Sequence, residues 1–342
     1  MTDALPLPRT PDPREAPSLR WGILGPGWIA HRFVEALLAH TTQRVVAVGS
    51  RGKDRAEAFA AQWSVPTAHG SYEALFGDPD VDIVYIATTH PSHRDNAIAA
   101  LEAGKHVLVE KPLAVDAAGA REIVAAAARA DRYVGEAMWT KFLPKFDVIR
   151  QLLDDGALGE IRTVLADHGE FFTPDHRIYD ATLAGGPLLD LGTYTIALAH
   201  FVSDAFTSVV AQGQDVRPGL NGQISAIVSD PAGNQAVLHT TMLSDTPTVA
   251  VIVGREATVH IDGPFFMPGP FTLTRHKGHP TDPGRVLRYD EKPGVQADGL
   301  HYAAVEAARL ITQGRNESEI HPLRCAVATL EVADEIRRQL KR

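Results

Sequence analysis

One cysteine, Cys325, in 342 residues leaves no partner for an intrachain disulfide, and no Cys-x-x-Cys pair offers thiolates at the spacing that holds zinc. The expected home is therefore a reducing compartment, the cytoplasm. No run of eighteen apolar residues occurs, so no segment reads as a membrane-spanning helix. The first residues hold no apolar stretch of signal-peptide length either. Basic residues are in deficit: 33 Lys and Arg against 42 Asp and Glu give a formal net charge of −9. That balance offers no footprint for a phosphate backbone and argues against a nucleic-acid partner. No His-Glu-x-x-His is present, and His90 with His93 finds no third or fourth ligand at a suitable spacing, so no metal site is expected. Asn316-Glu317-Ser318 has the form of a glycosylation acceptor, a chance match in a chain with no secretory signal.

What is present is an ordinary globular composition, 44% hydrophobic and 22% charged, in a chain long enough for two domains. Residues 1–18 carry Pro6, Pro8, Pro11, Pro13 and Pro17 and read as an extended arm. Residues 19–137 alternate short apolar runs with Ala-rich helical stretches, the rhythm of a parallel sheet with crossover helices. Strands are predicted at 20–24, 44–49, 82–87, 106–109 and 133–136. Helices are predicted at 29–39, at 54–62 with Asp54 as cap, at 92–103 with Ser92 as cap and Gly104 as stop, and from the Asp116 cap to Ala130. From residue 138 to the C-terminus, strand-favouring runs at 161–172, 208–214, 223–229, 235–242, 248–253 and 258–261 are joined by turn chemistry such as Asp230-Pro231-Ala232-Gly233-Asn234 and Asp262-Gly263-Pro264. The second domain is thus expected to be α+β, a mostly antiparallel sheet with helices near 191–202, 300–313 and 323–340.

Gly25-Pro26-Gly27-Trp28-Ile29-Ala30 is a G-x-G-x-x-A run between a predicted strand and a predicted helix. The first glycine permits the tight turn, the second lets backbone amides approach a pyrophosphate, and Ala30 lets helix and strand pack closely. The helix N-terminus then faces the phosphates. After the second strand comes Ser50-Arg51, with Lys53 and Arg55 nearby, where an NAD site usually offers an acid to the ribose hydroxyls. A hydroxyl and guanidinium groups suit a 2′-phosphate, so NADP is expected, with NAD the alternative; a solvated basic loop is the plain reading of the same residues.

Glu110-Lys111-Pro112 follows the strand at 106–109. About eighty residues later comes Gly185-Gly186-Pro187-Leu188-Leu189-Asp190-Leu191-Gly192-Thr193-Tyr194. With the glycine turn, this pair resembles the family of glucose-fructose oxidoreductase and inositol dehydrogenase. Glu136-Ala137-Met138-Trp139-Thr140 and His176-Arg177-Ile178-Tyr179-Asp180 look most like its branch of dimeric dihydrodiol dehydrogenases and NADP-dependent xylose dehydrogenases. The resemblance runs from about Leu19 to the C-terminus. It implies a Rossmann domain followed by a domain with an open-faced sheet, which pairs with another subunit as a dimer or tetramer. It also implies Lys111 and Tyr194 beside the nicotinamide with Asp190 near them, Tyr194 exchanging a proton with a sugar or polyol hydroxyl and Lys111 holding that hydroxyl. Thr88, His90 and His93, in the loop after the strand at 82–87, would line the nicotinamide pocket together with Glu110.

The chemistry agrees independently: an alcohol gives up hydride readily only as its proton is taken, and a phenol of ordinary pKa near 10 needs a nearby cation to do that near neutrality. Asp190 and Tyr194, four apart at a predicted helix start, share one face; a helix cap is the other reading of Asp190. Trp139 and His176, from a wider set with Lys141, Phe142, His168, Phe171 and Arg177, are the expected substrate wall. Aromatic faces and donors match a ring with apolar faces and a rim of hydroxyls. Two alternatives stay open: a sugar oxidoreductase that never releases its NADP, and a nucleotide sensor that has kept the fold without the chemistry.

Overall fold

The computed structural model describes residues 4–276 and 283–341. The N-terminal half alternates strand and helix as its apolar rhythm requires. Its elements are β1 Arg20–Leu24, α1 Trp28–His40, β2 Arg44–Gly49, α2 Lys53–Trp63, β3 Thr67–His69, α3 Tyr72–Phe76, β4 Ile83–Ile86, α4 His93–Glu102, β5 His106–Val109, α5 Ala117–Ala130 and β6 Val134–Glu136. The six strands are all parallel, in the order β3-β2-β1-β4-β5-β6. This is the doubly wound dinucleotide-binding order. β4 is buried at all four positions, as a strand covered by helices on both faces must be.

Caps decide several helix starts. Asp116 takes the amide of Gly119 at 2.8 Å and begins α5 where the sequence places it. Asp54 does not cap α2: the helix starts at Lys53 with Gly52 before it and no side-chain bond, and Asp54 sits inside the first turn, where its charge favours the helix dipole. Ser92 stands at the cap position of α4 but is already helical, at the end of a 3₁₀ turn His90–Ser92, and its side chain makes no cap bond. The elements β3 and α3 are additions to the sequence reading, too short to show a period.

The later part of the chain begins with α6 Pro144–Asp154, also unread in the sequence, and continues with β7 Ile161–Gly169, α7 Thr193–Val202, β8 Ser208–Arg217, β9 Leu220–Ser229 and β10 Gln235–Thr241. After these come β11 Ala250–Gly254, β12 Ala257–Ile261, β13 Phe271–His276, β14 Pro283–Tyr289, α8 His301–Thr312 and α9 Leu323–Leu340. One eight-stranded sheet runs β14-β13-β12-β11-β7-β10-β9-β8, antiparallel except for the β7–β10 pair. Strict alternation gives it one buried face, with Val164, Ala166, Ala236, Leu238, Ile252 and Val259 packed inward. The other face carries a row of apolar side chains in register, Val210 opposite Ile227, Ile227 opposite Val237 and Val237 beside Leu165, all exposed.

The chain forms two compact units. One holds Pro11–Phe142 and Gln296–Val327; the other holds the arm through Thr10, Leu143–Val295 and Ala328–Arg342. The sequence suggests one cut near residue 138, with room for the C-terminal helix to pack back on the first domain; in the structure it is α8 that returns to the first unit, while most of α9 belongs to the second. The buried Ala303, Ala304, Ala307 and Ala308 of α8 give it a smooth apolar stripe, and it packs on α1. The arm is tied down on both sides of Thr10: the Arg9 guanidinium grips Asp147 at 2.7 Å, and Gln43 Nε2 donates to the Pro17 carbonyl at 2.7 Å.

Candidate active site

In the first unit the chemistry gathers at the carboxyl ends of the strands. Gly25 has φ +83°, and a Cβ there would lie 3.0 Å from Thr88 Cγ2 and 3.2 Å from the Ala87 carbonyl group, so only glycine fits the turn. Gly27 is different: a Cβ added there would meet nothing nearer than 4.0 Å, which leaves the backbone open to a ligand. The amides of Trp28, Ile29 and Ala30 precede the first bond of α1, made by the His31 amide to the Gly27 carbonyl at 3.2 Å. Those amides therefore point outward at the positive end of a 13-residue helix. Trp28 is 62% exposed beside them, whereas Ala30 is fully buried against the sheet. Open backbone, unspent amides and a helix N-terminus together fit the pyrophosphate of a dinucleotide.

At the end of β2, Ser50 is buried and its hydroxyl takes the Gly52 amide at 3.4 Å. Arg51, Lys53 and Arg55 are exposed. Lys53 pairs with Glu57 at 3.6 Å, but neither Arg51 nor Arg55 has an ion-pair partner among the described residues. No carboxylate occupies the positions next to Gly49.

The loops after β4 and β5 are locked together. His93 is fully buried, its Nδ1 donating to the Pro112 carbonyl at 2.8 Å and its Nε2 lying 3.0 Å from the Thr88 carbonyl. Burial pushes its pKa down, against the pull of those two carbonyls. His90 is buried with its ring 5.6 Å from that of His93, and Thr88 accepts from Asn96 Nδ2 at 3.2 Å. Glu110 is buried, accepts from the Tyr85 hydroxyl, and takes the Lys111 amide at 3.1 Å. Burial pushes its carboxyl up to about 7, opposed by the Tyr85 hydrogen bond and the charge of Lys111. Lys111 itself is half-buried and precedes a cis peptide to Pro112. Trp139 is buried in a 3₁₀ turn at the end of this unit. Among the described residues no group of three or more His, Cys, Asp or Glu is placed to hold a metal ion.

In the second unit Asp190 lies in a π-helical turn, Leu188–Gly192, that leads into α7. It therefore does not cap that helix, which begins three residues later; its carboxylate instead receives both guanidinium nitrogens of Arg177, at 3.1 and 3.3 Å. The fold-back that brings Arg177 there depends on Gly185. A Cβ at that position would lie 2.4 Å from the Ile178 carbonyl oxygen, and the next amide, of Gly186, bonds that same oxygen at 2.7 Å. Tyr194 is buried in the first turn of α7, its ring stacked on Phe266 at 4.7 Å and tilted against His168 at 5.4 Å. His168 in turn stacks on Phe266 at 4.5 Å and bonds Glu170 at 2.9 Å. His176 serves locally, its Nδ1 accepting the Ile178 amide at 3.2 Å and its ring lying 4.6 Å from Phe172. Phe266 has no sequence signal of its own: it lies in the loop between β12 and β13, where Asp262-Gly263-Pro264 announces only a turn.

Known proteins share this plan. The family described as "Oxidoreductase family, NAD-binding Rossmann fold" matches residues 19–138, and the GFO/IDH/MocA C-terminal domain matches residues 146–260. Trans-1,2-dihydrobenzene-1,2-diol dehydrogenase of Bos taurus is 33% identical over 331 residues, covering 94% of this chain and 97% of its own. A levoglucosan dehydrogenase in complex with NADH and levoglucosan shares the fold with a TM-score of 0.85 at 18% identity, covering 95% and 97% of the two chains. A 3-ketoreductase from Actinomadura kijaniata in complex with NADP and TDP-benzene has a TM-score of 0.80 at 25% identity, over 94% and 98%. Among the described residues no helix is long and apolar enough to cross a membrane.

Proposed function

Because the chain belongs to the Gfo/Idh/MocA family of NAD(P)-binding oxidoreductases, we propose that it moves a hydride between NADP and a hydroxyl-bearing carbon of a sugar, cyclic polyol or dihydrodiol. The observation that carries this reading is the position of Lys111 just past the carboxyl end of β5, in the same parallel sheet whose β1 leads into the open Gly25–Ala30 turn. Ligands of such sheets lie along that edge, so an ammonium there meets the reacting end of a dinucleotide whose phosphates rest on α1.

When bound, the coenzyme supplies or accepts the hydride. Lys111 donates a hydrogen bond to the substrate oxygen and stabilises negative charge on it. The Tyr194 oxygen, as the phenolate, takes the substrate proton in the oxidative direction and, as the phenol, returns it in the reductive one. Asp190, oriented by Arg177, accepts from a neighbouring substrate hydroxyl, and the Phe266 and His168 rings give an apolar face for the C–H side of the ring.

NADP rather than NAD is supported by two guanidinium groups, Arg51 and Arg55, that have no ion-pair partner among the described residues and stand near a strand end that carries no acid; such groups suit a 2′-phosphate. The register-aligned row Val210, Ile227, Val237 and Leu165 supports a second copy of the chain stacked on the open sheet face, which light scattering would report as twice the monomer mass.

The test is a substrate panel of sugars, inositols and dihydrodiols followed by NADPH absorbance, with Tyr194→Phe as the control. Loss of the phenol oxygen should lower kcat by about 10³-fold and leave NADP affinity within experimental error of the parent. Unchanged turnover in that variant removes Tyr194 from the chemistry, and cofactor binding without turnover of any substrate favours a sensor.

A further inference from the structure

The Pro112–Leu113 peptide unit, one residue past Lys111, is gripped from both ends. Its carbonyl, that of Pro112, accepts from His93 Nδ1 at 2.8 Å, and its N–H, that of Leu113, donates to Glu136 Oε1 at 2.7 Å. The second oxygen of Glu136 receives His321 Nε2 at 2.7 Å. Glu136 and His321 are both buried, their side chains only 2% and 1% exposed, and they lie 185 residues apart in sequence. Burial alone would raise the Glu136 carboxyl, but the His321 hydrogen bond, the Leu113 amide and the charge of the buried Lys141 bring it below the ordinary range. Burial and Lys141 lower His321. The pair is thus a carboxylate receiving an N–H from a neutral imidazole.

A carboxylate taken out of water is costly unless its lone pairs are used, and here both oxygens are used, one on the loop and one on the clamp. We propose that Glu136, itself held by His321, is the positioning residue for Lys111: it fixes the Pro112–Leu113 peptide against His93 and so aims the ammonium. This rests on the reading that Lys111 meets the substrate oxygen. It assigns a role to the segment 296–327, which returns to the first unit and carries His321 into it. A loop pinned on one side only would let a long, flexible lysine stem wander, and a displacement of about 1 Å at a reacting group can cost up to about 10²-fold in rate.

The experiment is a double-mutant cycle on the full chain, with kcat, KM and NADP affinity measured separately. Glu136→Leu keeps the volume and removes the acceptor. It should lower kcat about 10- to 100-fold while NADP affinity, set at the glycine turn and at Arg51, stays within about threefold of the parent. Glu136→Gln, whose amide oxygen still accepts the Leu113 N–H and whose NH2 meets His321 Nε2 once the ring takes its other tautomer, should recover most of that loss in kcat even at a lower melting temperature, a rescue that a merely structural role does not require. In a Lys111→Ala background, Glu136→Leu should lower kcat no further, because the group it aims is gone. Additive losses, or a Glu136→Leu protein with parental kcat, overturn the proposal. If Glu136→Leu fails to fold, His321→Gln, which weakens the clamp and leaves the acceptor, carries the same cycle. A Lys111→Ala protein of parental activity defeats the functional reading itself, a result distinct from an impaired Lys111→Ala beside an indifferent Glu136→Leu.

Discussion

The two sets of residues proposed to flank the substrate are held by different physics. On the Lys111 side every fixing group is buried, and three of them, Glu110, His93 and Glu136, end their hydrogen bonds on the backbone of the loop itself. On the Tyr194 side the ring rests on the faces of Phe266 and His168, and Asp190 leans on Arg177, whose side chain is 47% exposed. Buried hydrogen bonds to backbone are directional and expensive to leave unmade. Stacked rings slide against one another at little cost, and a half-exposed ion pair is weak. On the proposed function this contrast is a division of labour: a stiff frame for the group common to any alcohol, and a more adaptable wall for the part of the substrate that differs.

The first test bears on the coenzyme turn of the unit that carries the stiff frame. Gly25→Val forces a branched side chain into a φ of +83° and into the Ala87 and Thr88 backbone and methyl positions. NADP affinity should fall by more than about 100-fold, read by fluorescence titration on protein shown to be folded by circular dichroism. Retained affinity would mean the coenzyme does not use this turn, and the Lys111 frame would lose the bound partner it is proposed to face. The adaptable side should respond differently. Arg177→Met leaves the buried Asp190 carboxylate without its bidentate partner and should lower kcat/KM about 10-fold, chiefly through KM, with NADP affinity unchanged. The loss should vary from substrate to substrate across the panel. A uniform loss, or one shared by NADP binding, would show that the wall is as rigid as the frame.

The same contrast governs what the amino-acid order reveals. The glycine turn, β1 and α1 are legible because their chemistry is local: tight turn, cradle and helix N-terminus lie within a dozen residues. Asp116 is legible as a cap for the same reason. Asp190 is only half legible. Its place beside the Arg177 loop depends on a fold-back that Gly185 permits, and its departure from the cap depends on a π-helical turn with no sequence period of its own. The clamp on Lys111 is invisible, since nothing near His321 announces Glu136, and only the return of α8 and the segment after it brings them together. By contrast α6 carried a readable signal, Pro144 at the first helical position with Phe146, Ile149 and Leu152 at helical spacing.

A further effect concerns pH and belongs to the stiff side alone. The Glu110 carboxyl, pushed by burial to about 7 from an ordinary 4.5, is easier to bury as the neutral acid. A raised folded-state pKa means that its contribution to stability is fully present below pH 4.5 and is lost as pH rises through 7. The shift corresponds to roughly 3 kcal/mol at most. Glu110→Gln resembles the protonated acid, its amide oxygen accepting the Lys111 N–H and its NH2 donating to the Tyr85 oxygen. It should therefore match the parent near pH 4.5 and melt several degrees higher at pH 8. Asp78 and Asp82, whose carboxyls burial would raise but hydrogen bonds and nearby cations together bring below the ordinary range, His69, the Asp80 amide and Lys105 at Asp78 and Arg20 and Lys105 at Asp82, act in the opposite sense and lose their contribution in acid. They are untouched by the substitution and cancel when the two proteins are compared at one pH. Thermal melts of both across that range decide the matter. A difference that stays constant with pH would mean that Glu110 keeps an ordinary carboxyl pKa in the folded protein, and that near neutrality the frame around Lys111 carries one more buried charge than burial favours.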